Sequence, residues 1–257
     1  MNENRIGKES KNNFGSLIRI IGYRNYYDID IYFPDYDWTF YNADYNSFKK
    51  GKVKCPYEPR IFNIGYLGEG IYKSRENSKQ VKAYKTWYAM LERCYDEKHR
   101  YDYITYEDCY VCDEWLNYQN FAEWYNYNYY EISSGEQMHI DKDILIKGNR
   151  VYSPETCIFV PKTINNLILA RERDRGDFPV GVWYDSERNK YKAYCCNGYG
   201  KTVTIGRYST LEEAFNQYKL YKESVLKNMA EIYKEEIPIE LYNALYSYTI
   251  DINDWFG

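Results

Sequence analysis

Residues 177–222 are the part of the chain whose pattern admits the fewest folds. Val180-Gly181-Val182-Trp183-Tyr184-Asp185 reads as a strand running into a turn, and Lys190-Tyr191-Lys192-Ala193-Tyr194-Cys195-Cys196 as a second strand. Lys201-Thr202-Val203-Thr204-Ile205-Gly206-Arg207-Tyr208 reads as a third. Asn197-Gly198 supplies a reversal, since both residues tolerate positive φ. Ser209 or Thr210 can cap a helix whose first turn carries Glu212-Glu213, acidic charge at the positive end of the helix dipole. Three strands in succession and then a helix predict a small sheet packed on that helix, with alternate strand residues facing it.

The motifs in this segment are Gly181-Val182, Lys190-Tyr191-Lys192-Ala193, Ile205-Gly206-Arg207-Tyr208 and Thr210-Leu211-Glu212-Glu213-Ala214. With this strand order the segment resembles the Apetala-type (ethylene-response-factor-like) DNA-binding domain, which also occurs beside phage nucleases. The resemblance implies double-stranded DNA as partner, with the sheet in the major groove and Arg, Lys and aromatic side chains of the exposed face on bases and backbone. By position the DNA-binding candidates are Trp183, Tyr184, Arg188, Lys190, Lys192, Tyr194 and Lys201. Core packing is the other reading for any one aromatic, and surface solubility the other reading for the basic set. The sheet has fewer arginines than a strong base reader would use.

The densest potential chemistry lies at Met138–Asn166, which holds His139, Asp141, Asp143, Asn149, a Ser-Pro turn and two closing asparagines. Ile144-Leu145-Ile146 reads as a short strand, Lys147-Gly148-Asn149 as a turn and Val151-Tyr152 as the return. Cys157 to Val160 is a short buried run, followed by a helix from Lys162 to Ala170, a ββα order. His139-Ile140-Asp141 and Ser153-Pro154-Glu155-Thr156-Cys157-Ile158-Phe159-Val160, with Asn165 or Asn166 on the helix, resemble the HNH nuclease family. The resemblance implies a metal-dependent endonuclease with Mg²⁺ or Mn²⁺, His139 as general base, and Asp141 with Asn165 or Asn166 as metal-side ligands. Met138 departs from that pattern: it stands where the family has a metal-binding Asp or His, and a thioether is a poor ligand for an oxygen-seeking ion. A turn histidine on a non-catalytic copy of the fold is the other reading of His139.

Trp87, Met90, Leu91 and Cys94 fall at helical spacing, as do Trp115, Tyr118, Phe121, Ala122 and Trp124-Tyr125, so two amphipathic helices are expected ahead of the ββα element. A polar, tyrosine-rich loop from Asp96 to Asp108 would join them. This segment also resembles the one ahead of the core in phage HNH-like proteins. Cys109-Tyr110-Val111-Cys112 is a CxxC pair, and in the resembling segments cysteines stand at Cys94, Cys112 and Cys157. Four thiolates, Cys94, Cys109, Cys112 and Cys157, would complete a structural Zn²⁺ site; buried small hydrophobes is the other reading. Seven cysteines, an odd number, argue for thiols or metal before disulfides.

Near the N-terminus, Leu17–Ile21, Ile29–Phe33 and Trp38–Tyr41 are expected strands with a turn region at Gly22, making a small β-barrel or meander. The Asn-x-Phe-Gly start, the Asp28-Ile29-Asp30 strand and the Phe48-Lys49-Lys50-Gly51-Lys52 end resemble a module that recurs in bacteriophage proteins ahead of HNH-like segments. The run Lys49-Lys50-Gly51-Lys52 with Lys54 either meets phosphate or is a solvated lysine face. After a charged linker at 170–177, the last helices carry apolar faces at Leu226, Met229, Ile232 and Tyr233, then at Leu241, Ala244 and Leu245, which pack on the body or mediate oligomerisation.

The formal charge of −4 is unevenly spread: +3 over residues 1–80, −4 over 81–175, +2 over 176–222 and −5 over 223–257. Local basic excess permits phosphate contacts while the acidic segments hold nonspecific affinity down. No apolar run approaches the roughly 18 residues of a membrane span, so a soluble, cytoplasmic protein is expected, in the host cytoplasm if phage-encoded. The 34 tyrosines supply amphipathic contact residues for a partner. The expected class is α+β: a β-rich module at 1–75, a helical segment and ββα core at 80–172, the three-stranded sheet on a helix at 177–222 and an acidic helical tail at 223–257. Two functions are compatible with it: a DNA-binding HNH-like endonuclease, or a non-catalytic phage protein that binds DNA or another protein, such as an inhibitor of a host anti-phage defence complex.

Overall fold

The computed structural model describes residues 5–102, 108–168 and 178–252, and the chain divides into two compact units, 1–127 and 128–257. Both mix helix and strand, so the α+β class holds. Residues 103–107 of the expected loop and the linker expected at 170–177 lie outside the described residues.

The first unit opens with β1 (Glu9–Lys11), β2 (Leu17–Asn25), β3 (Asp28–Phe33) and β4 (Trp38–Ala43), an antiparallel meander in the order β1-β2-β3-β4. It is an open sheet, one of the two forms expected. Period-2 alternation drives it: Ile18 and Ile20 on β2 and Ile29, Ile31 and Phe33 on β3 have no exposed surface. Each such side chain stabilises the sheet by roughly 1.5–3 kcal/mol through burial. With Phe48 of α1 (Tyr45–Lys49), capped by the Asp44 carboxylate on Ser47 N at 2.8 Å, they form one core. The turn expected at Gly22 is not there. β2 runs on to Asn25, whose side chain accepts Tyr27 N at 2.8 Å and makes the reversal. Gly22 instead lets β3 approach: a Cβ there would lie 2.5 Å from Asp30 Oδ2, one of the carboxylates bound to Arg24.

A small hairpin, β5 (Arg75–Glu76) with β6 (Lys79–Gln80), precedes α2 (Lys82–Tyr95), which buries Trp87, Met90, Leu91 and Cys94 as its spacing predicts. α3 (Glu97–Asp102), β7 (Tyr110–Val111), α4 (Asp113–Leu116) and α5 (Tyr118–Asn128) follow. The second expected helix is broken at Asn117, whose extended backbone lets residue 66 wedge in. Tyr66 N donates to Leu116 O and Tyr118 N donates to Tyr66 O, both at 2.9 Å. Trp87 Nε1 donates to Trp115 O at 2.7 Å, so the largest buried ring of α2 is also hydrogen-bonded to α4.

In the second unit β8 (Met138–Asp141) precedes β9 (Val151–Tyr152), β10 (Ile158–Pro161) and α6 (Lys162–Ile168); β8 and β10 are antiparallel, with His139 opposite Val160. β11 (Val182–Asp185), β12 (Lys190–Cys196) and β13 (Thr202–Tyr208) form a three-stranded antiparallel sheet in that order. Then come α7 (Leu211–Tyr233) and α8 (Ile239–Tyr246). Thr210 caps α7 in a reciprocal box: its hydroxyl accepts Glu213 N, and the Glu213 carboxylate accepts Thr210 N, each at 3.2 Å.

α7 is a single helix of 23 residues and passes without a break through 222–223, where a boundary between sheet module and tail was expected. Its first half lays Ala214, Phe215 and Tyr218 under the sheet, against Val182, Ala193 and Cys195. Its second half packs Val225, Leu226, Met229 and Ala230 with Ile158, Val160, Ile164 and Leu167 of the ββα element and with Leu241 and Leu245 of α8. The tail therefore packs on the body, one of its two expected fates. Ile232, expected on the apolar face, is half exposed. α6 is pinned to α7 at both ends. The Glu136 carboxylate accepts Thr163 N and Tyr233 OH, both at 2.8 Å, and the buried Lys222 ammonium donates to Leu167 O. Burial alone would raise the Glu136 pKa, but these hydrogen bonds outweigh it and hold the carboxyl below its ordinary range.

Candidate functional site

The open face of the sheet is the more completely built of two candidate centres. In the observed register Trp183 stands opposite Lys192, and Lys192 opposite Arg207, so one row across all three strands carries an indole, an ammonium and a guanidinium. Their faces follow from alternation: Tyr191, Ala193 and Cys195 pack toward α7, and Lys190, Lys192 and Tyr194 lie on the other side of β12. Trp183 is 56% exposed, which is uneconomical for a core residue.

Arg207 is held in place. Asp185, buried at the end of β11, accepts Arg207 Nε at 2.9 Å and Arg188 Nη1 at 3.2 Å. The Arg207 guanidinium, then Arg188, holds the Asp185 carboxyl below the usual carboxylate range, so the carboxylate stays ionised at neutral pH. An arginine anchored through Nε presents its planar end in a restricted orientation, suited to a phosphate or a base edge.

The other predicted residues of this face are placed as follows. Lys190 Nζ donates to Ser209 Oγ at 2.7 Å, Tyr194 lies opposite Thr204, and Lys201 is exposed in the turn before β13. Tyr184 belongs to the opposite side: it faces Tyr191 at 5.1 Å between ring centroids, and its hydroxyl donates to Asn189 Oδ1. Arg207 was missed by position along the chain. The signal that finds it is the cross-strand register, with a bulge between Ala193 and Tyr194 that no local pattern announces.

The second centre is the ββα element. Met138 and Ile140 point into the core, so His139 and Asp141 share the other, partly exposed face of β8. The strand expected at Ile144–Ile146 does not form. Asp141 Oδ1 accepts Asp143 N at 3.0 Å and Ile144 N at 2.8 Å, and this Asx turn ends β8 and sends Ile144 into the core. Asn149 closes the loop by donating to Lys142 O at 2.6 Å and Val151 O at 2.7 Å. The Lys142 ammonium, almost buried, donates to Asn149 O and pairs with Asp143, both at 2.9 Å. Of the two helix asparagines, Asn165 is buried and Asn166 exposed.

Burial, reinforced by the neighbouring Asp143 carboxylate, pushes Asp141 up to about 6 against the two backbone N–H donors. A rise from 3.8 to about 6 in a mostly buried carboxylate is worth on the order of 3 kcal/mol. The folded chain then holds this proton more tightly than the unfolded chain. The stability contributed is full below about pH 4 and is lost as pH rises through about 6. Asp141→Asn keeps the Oδ1 acceptor and removes the titration. Urea unfolding of this variant is expected to lack the part of the wild-type decline between about pH 4 and 6 that Asp141 causes; an unchanged decline would show that other groups cause it.

The donor chemistry suits a hard divalent ion. Asp141 and Asn165 offer oxygen, and Mg²⁺ is commonly held by one or two carboxylates with the remaining positions filled by water and substrate phosphate. Among the described residues, no three His, Cys, Asp or Glu side chains are gathered as a metal set. Cys94, Cys109 and Cys157 are buried, Cys112 is partly so, and among the described residues no two cysteines are joined in a disulfide. No helix among the described residues is long and apolar enough to cross a membrane. Comparison of the chain with protein-family models, with curated proteins and with solved structures finds no match in any of the three.

Proposed function

We propose that the protein is a DNA-binding HNH-like endonuclease that docks duplex DNA on the open face of β11–β12–β13 and hydrolyses a phosphodiester at the ββα element with Mg²⁺ or Mn²⁺. The observation that carries the reading is the Trp183–Lys192–Arg207 row, with Arg207 oriented by the buried Asp185. Cations beside an exposed indole on a sheet match the phosphates and base edges of a major groove.

For hydrolysis, His139 accepts a proton from the attacking water as its oxygen adds to phosphorus and the bond to the leaving oxygen breaks. Asp141 and Asn165 would hold the ion, and a bound divalent ion would offset the charge that develops on the leaving oxygen. Asp141 must give up its proton for that task, so affinity for the ion should weaken as pH falls through about 6, where the ion-free carboxylate is protonated. The test is metal-stripped protein on supercoiled plasmid with Mg²⁺ or Mn²⁺ returned, beside a gel shift on the same DNA. Nicking that depends on the ion, together with a shift, supports the proposal; absence of both overturns it.

One observation favours a second reading. Met138, buried in the core, stands where the resembling nucleases carry a metal ligand. In a non-catalytic protein the ββα element would serve as the platform for α7 and the sheet, and the plasmid would be shifted without being nicked.

A further inference from the structure

On the first unit, the loop 12–16 and the lysine-rich segment 49–54 are tied into one rigid surface. Asn13 N donates to Gly51 O at 2.8 Å, and the buried Asn12 amide donates to Val53 O at 3.2 Å and to the Glu58 carboxylate. Asn12 Oδ1 accepts both Phe14 N and Ser16 N at 3.0 Å, which fixes the loop in the form of an Asx turn. Gly51 makes the approach possible: its φ is +63°, and a Cβ there would lie 2.8 Å from Asn13 Oδ1.

At the crest of this surface Phe14 is 49% exposed. Lys54 Nζ lies 5.4 Å and Arg60 Cζ 5.3 Å from the centre of its ring. Lys50, Lys52 and Lys54 are exposed, while Gly51, Val53 and Cys55 alternate with them into the interior. The nearby acid, Glu58, is 1% exposed, and its carboxylate accepts from Asn12 Nδ2 and Cys55 N. A lysine face kept for solubility has no use for a half-exposed phenyl ring fixed between its cations. A flat apolar ring with two cations over it has the composition of a stacking platform for a base, a displaced cation meeting a flanking phosphate.

We propose that Phe14, Lys54 and Arg60 form a contact site for unpaired nucleotides of a single strand, separate from the sheet face of the other unit and independent of whether the protein cleaves DNA. The balance of effects favours it: an exposed cation–π contact is worth about two- to fivefold in affinity, whereas stacking of one base on an aromatic side chain is worth about five- to 150-fold. A base can therefore take the ring face from a cation with net gain.

The test is fluorescence anisotropy of the full chain with labelled oligothymidylate and oligouridylate of about 12 nucleotides, the two probes distinguishing a DNA from an RNA source of the strand. Phe14→Ala is expected to weaken the preferred probe about tenfold, with Phe14→Tyr close to wild type. Lys54→Ala with Arg60→Ala is expected to lower the slope of log affinity against log salt by about 1.4. Tyr127→Ala, at an exposed aromatic outside both proposed sites, should leave the single-strand probe unaffected. All four positions are at or near the surface, and unchanged thermal melting will show that each variant is folded. No binding of either probe by the wild type, equal binding by Phe14→Ala, or loss at Tyr127→Ala instead, would overturn the proposal.

Discussion

His139→Ala is expected to lower metal-dependent plasmid nicking by about 10²- to 10⁴-fold, the usual contribution of a positioned general base, with duplex affinity unchanged. The separation follows from where the residue sits. His139 is on β8, opposite Val160, whereas the Trp183–Lys192–Arg207 row proposed to meet the duplex lies on β11–β13. The alanine also retains the strand pairing, because β8 is held by its backbone and by Met138 and Ile140 on the inner face. At subsaturating ion, nicking by the wild type should fall as pH drops below about 6, where Asp141 of the ion-free chain takes up its proton and ceases to offer a charged oxygen. If His139→Ala cuts as well as the wild type, the base is elsewhere; if it loses DNA binding and melts early, His139 is part of the scaffold.

The second large effect is expected on the sheet. Trp183→Ala combined with Arg207→Ala should weaken duplex binding by about 100-fold, as removal of two anchoring side chains of the types that dominate interfaces commonly does. Asp185→Asn makes the sharper test. It leaves Arg207 in the chain but removes the ionised partner that orients it, so affinity should fall while the number of phosphate-neutralising cations, and hence the salt dependence, stays near wild type. Arg207→Ala alone should lower the salt slope by about 0.9 if the guanidinium meets a phosphate, and should relax preference at one base pair if it meets a base edge. Duplex affinity unmoved by any of these changes would remove the sheet from the interface.

Much of the architecture was legible because its signals are local. Strand alternation at Ile29–Phe33, the Asn197-Gly198 reversal, the Thr210–Glu213 box and the helical spacing of Trp87 to Cys94 each act within a few residues of the chain. Where tertiary contacts decide, local reading went astray. Gly22 reads as a turn until Asp30 is seen across the strand pair, and Ile144-Leu145-Ile146 reads as a strand until Asp141 is seen to fold the backbone back on itself. β1, only Glu-Ser-Lys, carries no apolar signature and exists by pairing with β2. The same division applies to the candidate sites. Trp183 and Lys192 stand out from alternation alone, but Arg207 acquires its meaning from register, and Tyr184 loses its place at the face through its ring contact with Tyr191.

α7 gives the second unit a property that neither of its ends has alone. A helix of 23 residues is about 34 Å long and cannot lengthen without breaking its hydrogen bonds. One end carries the sheet and the other is cemented to the strand that pairs with His139. Duplex DNA advances about 3.4 Å per base pair, so under the proposed function the helix would act as a molecular ruler. The strand break should fall at a constant offset from the docked sequence, within about ten base pairs, and mapped ends should be sharp rather than scattered along the duplex.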